Sequence, residues 1–60
     1  MYYGNMTPKL EKLYDEYYEM FNSNPDEYIE LEYGANEYKD YVRDIKKALK
    51  RRKELPDIVD

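Results

Sequence analysis

The stretch Tyr28-Ile29-Glu30-Leu31-Glu32-Tyr33 decides how this chain is read. Ile29, Leu31 and Tyr33 alternate as they would on a half-buried strand. The residues just before them spell a helix start instead, with Asn24 as cap, Pro25 at the first helical position and Glu27 three residues after the cap. No second run of strand character occurs in the sequence, and a strand without a partner leaves its backbone N–H and C=O groups unpaired. The stretch is therefore expected to be a short helix over about 25–33, closed by Gly34 in the left-handed turn that glycine adopts most easily.

Working outward, Thr7 can cap a helix and Pro8 suits its first position, where the missing N–H has no intrahelical partner anyway. Leu10, Leu13, Tyr14, Tyr17, Met20 and Phe21 then recur at three-and-four spacing, which predicts an amphipathic helix over about 8–22 ended by Asn22-Ser23-Asn24. Beyond Gly34, Asn36 is the expected cap of the longest element. Tyr38, Tyr41, Val42, Ile45, Ala48 and Leu49 line its apolar face over about 37–54, before Pro56 forbids continuation. The expected fold is all-α, a small three-helix bundle with short loops forming a single domain over 1–60. Residues 1–6 and 55–60 are read as tails, and Leu55-Pro56-Asp57-Ile58-Val59 is apolar enough to fold back on the bundle.

Composition limits what such a bundle can do. A chain of 60 residues and 7.4 kDa buries only about 60% of its unfolded surface. Nine tyrosines stand beside 16 aliphatic, Met and Phe residues, so much of the core volume must be phenol rings. Mean hydropathy is −1.16, but a hydropathy scale counts tyrosine as polar although its ring buries like an apolar group. Cysteine, histidine and tryptophan are absent, which excludes disulfides, thiolate and imidazole metal sites, and catalysis by a Cys or His nucleophile or base. No apolar run is long enough for a membrane span or a signal-peptide core, so a soluble, uncleaved, cytoplasmic protein without membrane contact is expected.

The charges are unevenly placed. Residues 42–60 carry a net +3 and residues 1–41 a net −7. Arg43, Lys46, Lys47, Lys50, Arg51 and Lys53 share an arc of roughly 160° opposite the apolar stripe of the last helix, with Arg52 falling toward the core side. Basic residues in the last turns of a helix complement its dipole and need no ligand. Against that reading, Arg43–Lys47, Lys46–Lys50 and Lys47–Arg51 are like-charged pairs four apart, each mildly destabilising. Arg43, Lys46, Lys47, Lys50 and Arg51 are accordingly the candidate phosphate-binding residues.

Other constellations fail on their own terms. A helix-turn-helix frame with Gly34 in the turn places Glu30, Asp40 and Arg43 where buried side chains are required. Asn22, Asn24 and Asp26 occupy positions one, three and five of a calcium loop, but Glu27 replaces its glycine and Tyr33 its bidentate glutamate. Carboxylate pairs such as Asp15 with Glu19, or Asp40 with Asp44, have no accompanying pocket or third group, so no enzyme, cofactor, metal or small-molecule substrate is expected. Glu11, Asp15, Glu16, Glu19, Asp26, Glu27, Glu30, Glu32, Glu37 and Asp40 form an acidic surface interrupted by Lys9, Lys12 and Lys39, which opens the alternative of an inhibitor that mimics nucleic acid.

Tyrosine supplies the remaining reading. Tyr14, Tyr17, Tyr38 and Tyr41 fall on apolar stripes, whereas Tyr2, Tyr3, Tyr18, Tyr28 and Tyr33 are hard to bury together in so small a body. Large stiff rings with one polar end are favoured at protein interfaces. The sequence therefore favours a non-enzymatic helical interaction module that binds a protein partner or a second copy through Tyr18, Tyr28 and Tyr33. Nucleic-acid binding through the basic helix is the alternative.

Overall fold

In the computed structural model, described here for residues 1–59, the chain forms two long helices, α1 (Pro8–Phe21) and α2 (Tyr38–Arg51), and a single-turn helix α3 (Leu55–Ile58), with short 3-10 turns at Pro25–Glu27 and Ala35–Glu37. The all-α class holds. α1 begins as its sequence requires: Thr7 is extended (φ −124°, ψ 160°) and its Oγ1 accepts the Leu10 N–H at 3.1 Å. It ends at Asn22, which takes the left-handed conformation (φ 57°) and donates its N–H to the Tyr18 carbonyl. A polar residue that tolerates this region does the work usually left to glycine.

Leu10, Leu13, Tyr17, Tyr33, Tyr41, Val42, Ile45, Ala48 and Leu55 make one buried cluster. Thr7, at the start of α1, bonds the Tyr38 hydroxyl at the start of α2, while Tyr17, late in α1, accepts the Leu55 N–H just past the end of α2. The two long helices thus run in the same general direction. The intervening residues 22–37 have to return along the bundle, from Tyr28 beside Tyr17 to Tyr33 beside Tyr41.

This return corrects the reading of the middle segment. Residues 25–33 are not a helix: only Pro25–Glu27 forms a 3-10 turn, a second tight turn follows with the Leu31 N–H on the Tyr28 carbonyl (3.1 Å), and Tyr33 is extended in a parallel bridge with Tyr2. Extended chain advances roughly 3.3 Å per residue against 1.5 Å in a helix, which suits a segment that must cross back. The missing strand partner is the N-terminus. Tyr3 donates its N–H to the Tyr33 carbonyl (2.9 Å), Tyr33 donates to the Met1 carbonyl (2.8 Å), the Tyr2 N–H reaches Asp26 Oδ1 (2.8 Å), and the Met1 ammonium donates to the Tyr28 and Leu31 carbonyls. Residues 1–3, read from the sequence as part of a tail over 1–6, are therefore a strap across the bundle.

The end of α2 is also corrected. The helix stops at Arg51, and Arg52 turns left-handed (φ 57°, ψ 41°), giving its N–H to the Ala48 and Leu49 carbonyls. A continuous helix would have aimed Arg52 toward the core side of the wheel. The turn instead exposes Arg52 and drives Leu55 into complete burial, with Ile58 and Val59 packed behind it. Pro56 lies in the first turn of α3, where a proline starts a helix. Gly34 is extended (φ −71°, ψ 166°), not left-handed, and its N–H goes to Glu37 Oε1 at 2.7 Å, so the lead-in to α2 begins there and not at Asn36.

Candidate polyanion-binding face

α2 carries its apolar side chains Tyr41, Val42, Ile45 and Ala48 into the core, and the 100° step per residue leaves the cations on the opposite side. Arg43, Lys46, Lys47, Lys50 and Arg51 are all exposed and line one shallow groove on that side, in which no carboxylate takes part among the described residues. Asp40 and Asp44 flank it, and the only ion pairs among the described residues are theirs with Arg43, at 3.2 and 3.3 Å. Arg43 is thereby partly neutralised, while Lys46, Lys47, Lys50 and Arg51 have no carboxylate partner there. All five candidate phosphate-binding residues predicted from the sequence are brought together.

Tertiary packing adds two cations that the sequence reading had set among the acidic residues. Lys9 of α1 and Lys39 of α2 join Tyr38, Val42, Arg43 and Lys46 around a second groove of about 370 Å³, which shares Arg43 and Lys46 with the first. Lys9 lies so close to Lys46 that contact and like-charge repulsion lower the Lys46 ammonium below the usual lysine value. The available signal was Lys9's place beside the apolar stripe of α1, but which neighbour it meets depends on how the helices cross.

The predicted tyrosine anchors separate. Tyr18 is 50% exposed on α1. Tyr28 is half-buried against Tyr17, sharing a 2.5 Å hydroxyl–hydroxyl hydrogen bond and donating to Glu54 Oε1 at 2.9 Å. Tyr33 is only 7% exposed, packs its ring against Tyr41 at a 4.7 Å centroid distance and a 43° tilt, and donates to Asp44 Oδ2 at 2.6 Å. Tyr33 is thus a core residue rather than a surface anchor, and Tyr28 spends its polar end inside the molecule. Burial first, with the carboxylate partners adding to it, holds the Tyr28 and Tyr33 phenols well above the usual tyrosine range.

Several carboxylates are likewise occupied. Asp26 receives Tyr2, Glu37 receives Gly34 and Asp40 receives Arg43, which removes three members from the acidic strip read from the sequence. No helix among the described residues is long and apolar enough to cross a membrane, and no group of three or more carboxylates among them is placed to hold a metal ion. No protein-family model, curated protein or solved structure matches the chain. The arrangement of side chains carries the functional argument alone.

Proposed function

We propose that this protein is a non-enzymatic binding module whose contact surface is the basic face of α2 and whose ligand is the phosphate backbone of a nucleic acid, met in the cytoplasm. The supporting observation is the carboxylate-free groove lined by Arg43, Lys46, Lys47, Lys50 and Arg51. Like charges four apart on one helix weaken it unless a counter-charge is supplied, and a polyanion supplies one along the whole row. Lysine and arginine on phosphate oxygens carry no base information, so the binding is insensitive to sequence. The chain's net charge of −4 gives no long-range attraction; affinity arises locally, through displacement of counterions from the phosphates.

The reading in which a protein partner is held by tyrosine rings retains Tyr18 as its exposed anchor, since Tyr33 is buried and Tyr28 is engaged. The deciding experiment is fluorescence anisotropy of a labelled single-stranded oligonucleotide, beginning at about 10 mM salt, where screening is weak. Binding should weaken with salt, log K falling by about 0.7 per phosphate contact for each unit of log salt. Lys47→Glu with Lys50→Glu should remove it while circular dichroism stays helical. Binding that ignores salt or survives the double reversal refutes the proposal, as does no binding at low salt.

A further inference from the structure

Lys9, Lys39, Arg43 and Lys46 enclose more positive charge than a run of phosphodiesters calls for at one place. They come from two helices, and their groove has Tyr38 and Val42 as its remaining walls and no carboxylate lining among the described residues. The Tyr38 hydroxyl is tied to Thr7 Oγ1 at 2.8 Å, which fixes that wall against the start of α1. Arg43 is turned toward Asp40 and Asp44, so the free positive charge at this point is that of Lys9, Lys39 and Lys46. A phosphodiester brings one negative charge, whereas a phosphomonoester brings about 1.5 to 2 at neutral pH and three acceptor oxygens.

We infer that the Lys9–Lys39–Lys46 groove receives the terminal phosphomonoester of a nucleic-acid strand, whose following diesters run on over Lys47, Lys50 and Arg51. This rests on the proposed nucleic-acid reading and names the end of the ligand. The two grooves share Arg43 and Lys46 as lining residues, so a strand anchored by its end phosphate at Lys9 reaches the purely cationic row across those two side chains. The long reach of the lysines lets one phosphate group be met from both helices at once, which also relieves the repulsion between Lys9 and Lys46.

The test uses the whole protein and two internally labelled oligonucleotides of one sequence, one carrying a phosphomonoester at each end and one carrying none, together with inorganic phosphate as competitor. The phosphorylated strand should bind about three- to fivefold more tightly at low salt, the range of an exposed charge contact. Lys9→Ala, on an exposed position of α1, should weaken the phosphorylated strand more than the unphosphorylated one and so erase that preference. Inorganic phosphate should compete away the preference before it displaces the strand. Equal binding of the two strands by the unaltered protein, or a Lys9→Ala loss equal in both that keeps the preference, overturns the inference while leaving the basic-face proposal standing. Failure of both strands to bind removes both together.

Discussion

The Tyr33 phenol, on the segment that returns between the long helices, donates a 2.6 Å hydrogen bond to Asp44 on α2, and the same Asp44 holds Arg43 at 3.3 Å. One carboxylate therefore joins the strap region, the core and the edge of the basic face. Replacing Tyr33 by Phe keeps the ring contact with Tyr41 but leaves Asp44 Oδ2 without its donor. A loss of about 1–2 kcal/mol in urea unfolding is expected, since a hydrogen bond to a charged acceptor is involved. Tyr33→Ala, which also opens a cavity, should cost about 3–5 kcal/mol. Equal stability of Tyr33→Phe and the parent chain would contradict this account.

Tyr17 is the hub at the opposite end. Its hydroxyl accepts the buried Leu55 N–H at 3.0 Å and donates to the Tyr28 hydroxyl, which in turn donates to Glu54. Tyr17→Phe orphans a backbone donor, so it should cost more than Tyr28→Phe, by about 1 kcal/mol or more. The double variant should be less destabilised than the sum of the two, because one bond is lost in both. A double-mutant cycle from denaturant melts measures that coupling, and strict additivity would show that the pair does not interact.

The strap gives a local prediction. Asp26→Ala removes the acceptor of the Tyr2 N–H, and residues 1–3 should then open without unfolding of α1 and α2. Amide hydrogen exchange would report this as faster exchange at Tyr3 and Tyr33, which bond across the bridge, with little change at Ile45 in α2. If the protection of Tyr3 and Ile45 falls together, the strap is part of the global unfolding unit.

Arg52 offers the opposite sign of change. Its φ of 57° lies in the region where a Cβ meets the following carbonyl, a strain of roughly 1 kcal/mol. Arg52→Gly should therefore raise stability by up to about 1 kcal/mol despite glycine's freedom in the unfolded chain, and it leaves the five-residue groove intact. Thermal melts check the sign, and unchanged oligonucleotide affinity checks that Arg52 lies outside the contact.

At alkaline pH the buried phenols should act together. Burial is the leading cause that raises Tyr14, Tyr17, Tyr28, Tyr33 and Tyr41 above the ordinary value of 10.0. A phenol raised on folding contributes its full stability below the unfolded value, and that contribution declines as pH climbs past about 10 toward the folded value. Tyrosinate absorbance should accordingly show a cooperative step above pH 10 that coincides with the loss of helical circular dichroism. Smooth ionisation of all nine tyrosines with the helices intact would mean that these rings are open to solvent.

Much of this was legible in the residues alone. Thr7-Pro8, the apolar spacing of α1 and α2, and the cationic arc of α2 are local signals, since capping and helical periodicity depend only on neighbours within a few positions. They settle the two long helices and bring Arg43, Lys46, Lys47, Lys50 and Arg51 onto one face. What depended on tertiary structure was everything decided by a distant partner. The segment 28–33 is a turn followed by an extended Tyr33, not a helix, because residues 1–3 lie beside it, about 30 positions away in sequence, and because the chain must return between helices that run in the same direction. Tyr33 is buried and Tyr18 exposed because one ring finds Tyr41 and Asp44 and the other finds water. Lys9 belongs to the basic face because the start of α1 packs beside Tyr38, Val42 and Lys46 of α2, a pairing that no spacing within either helix encodes.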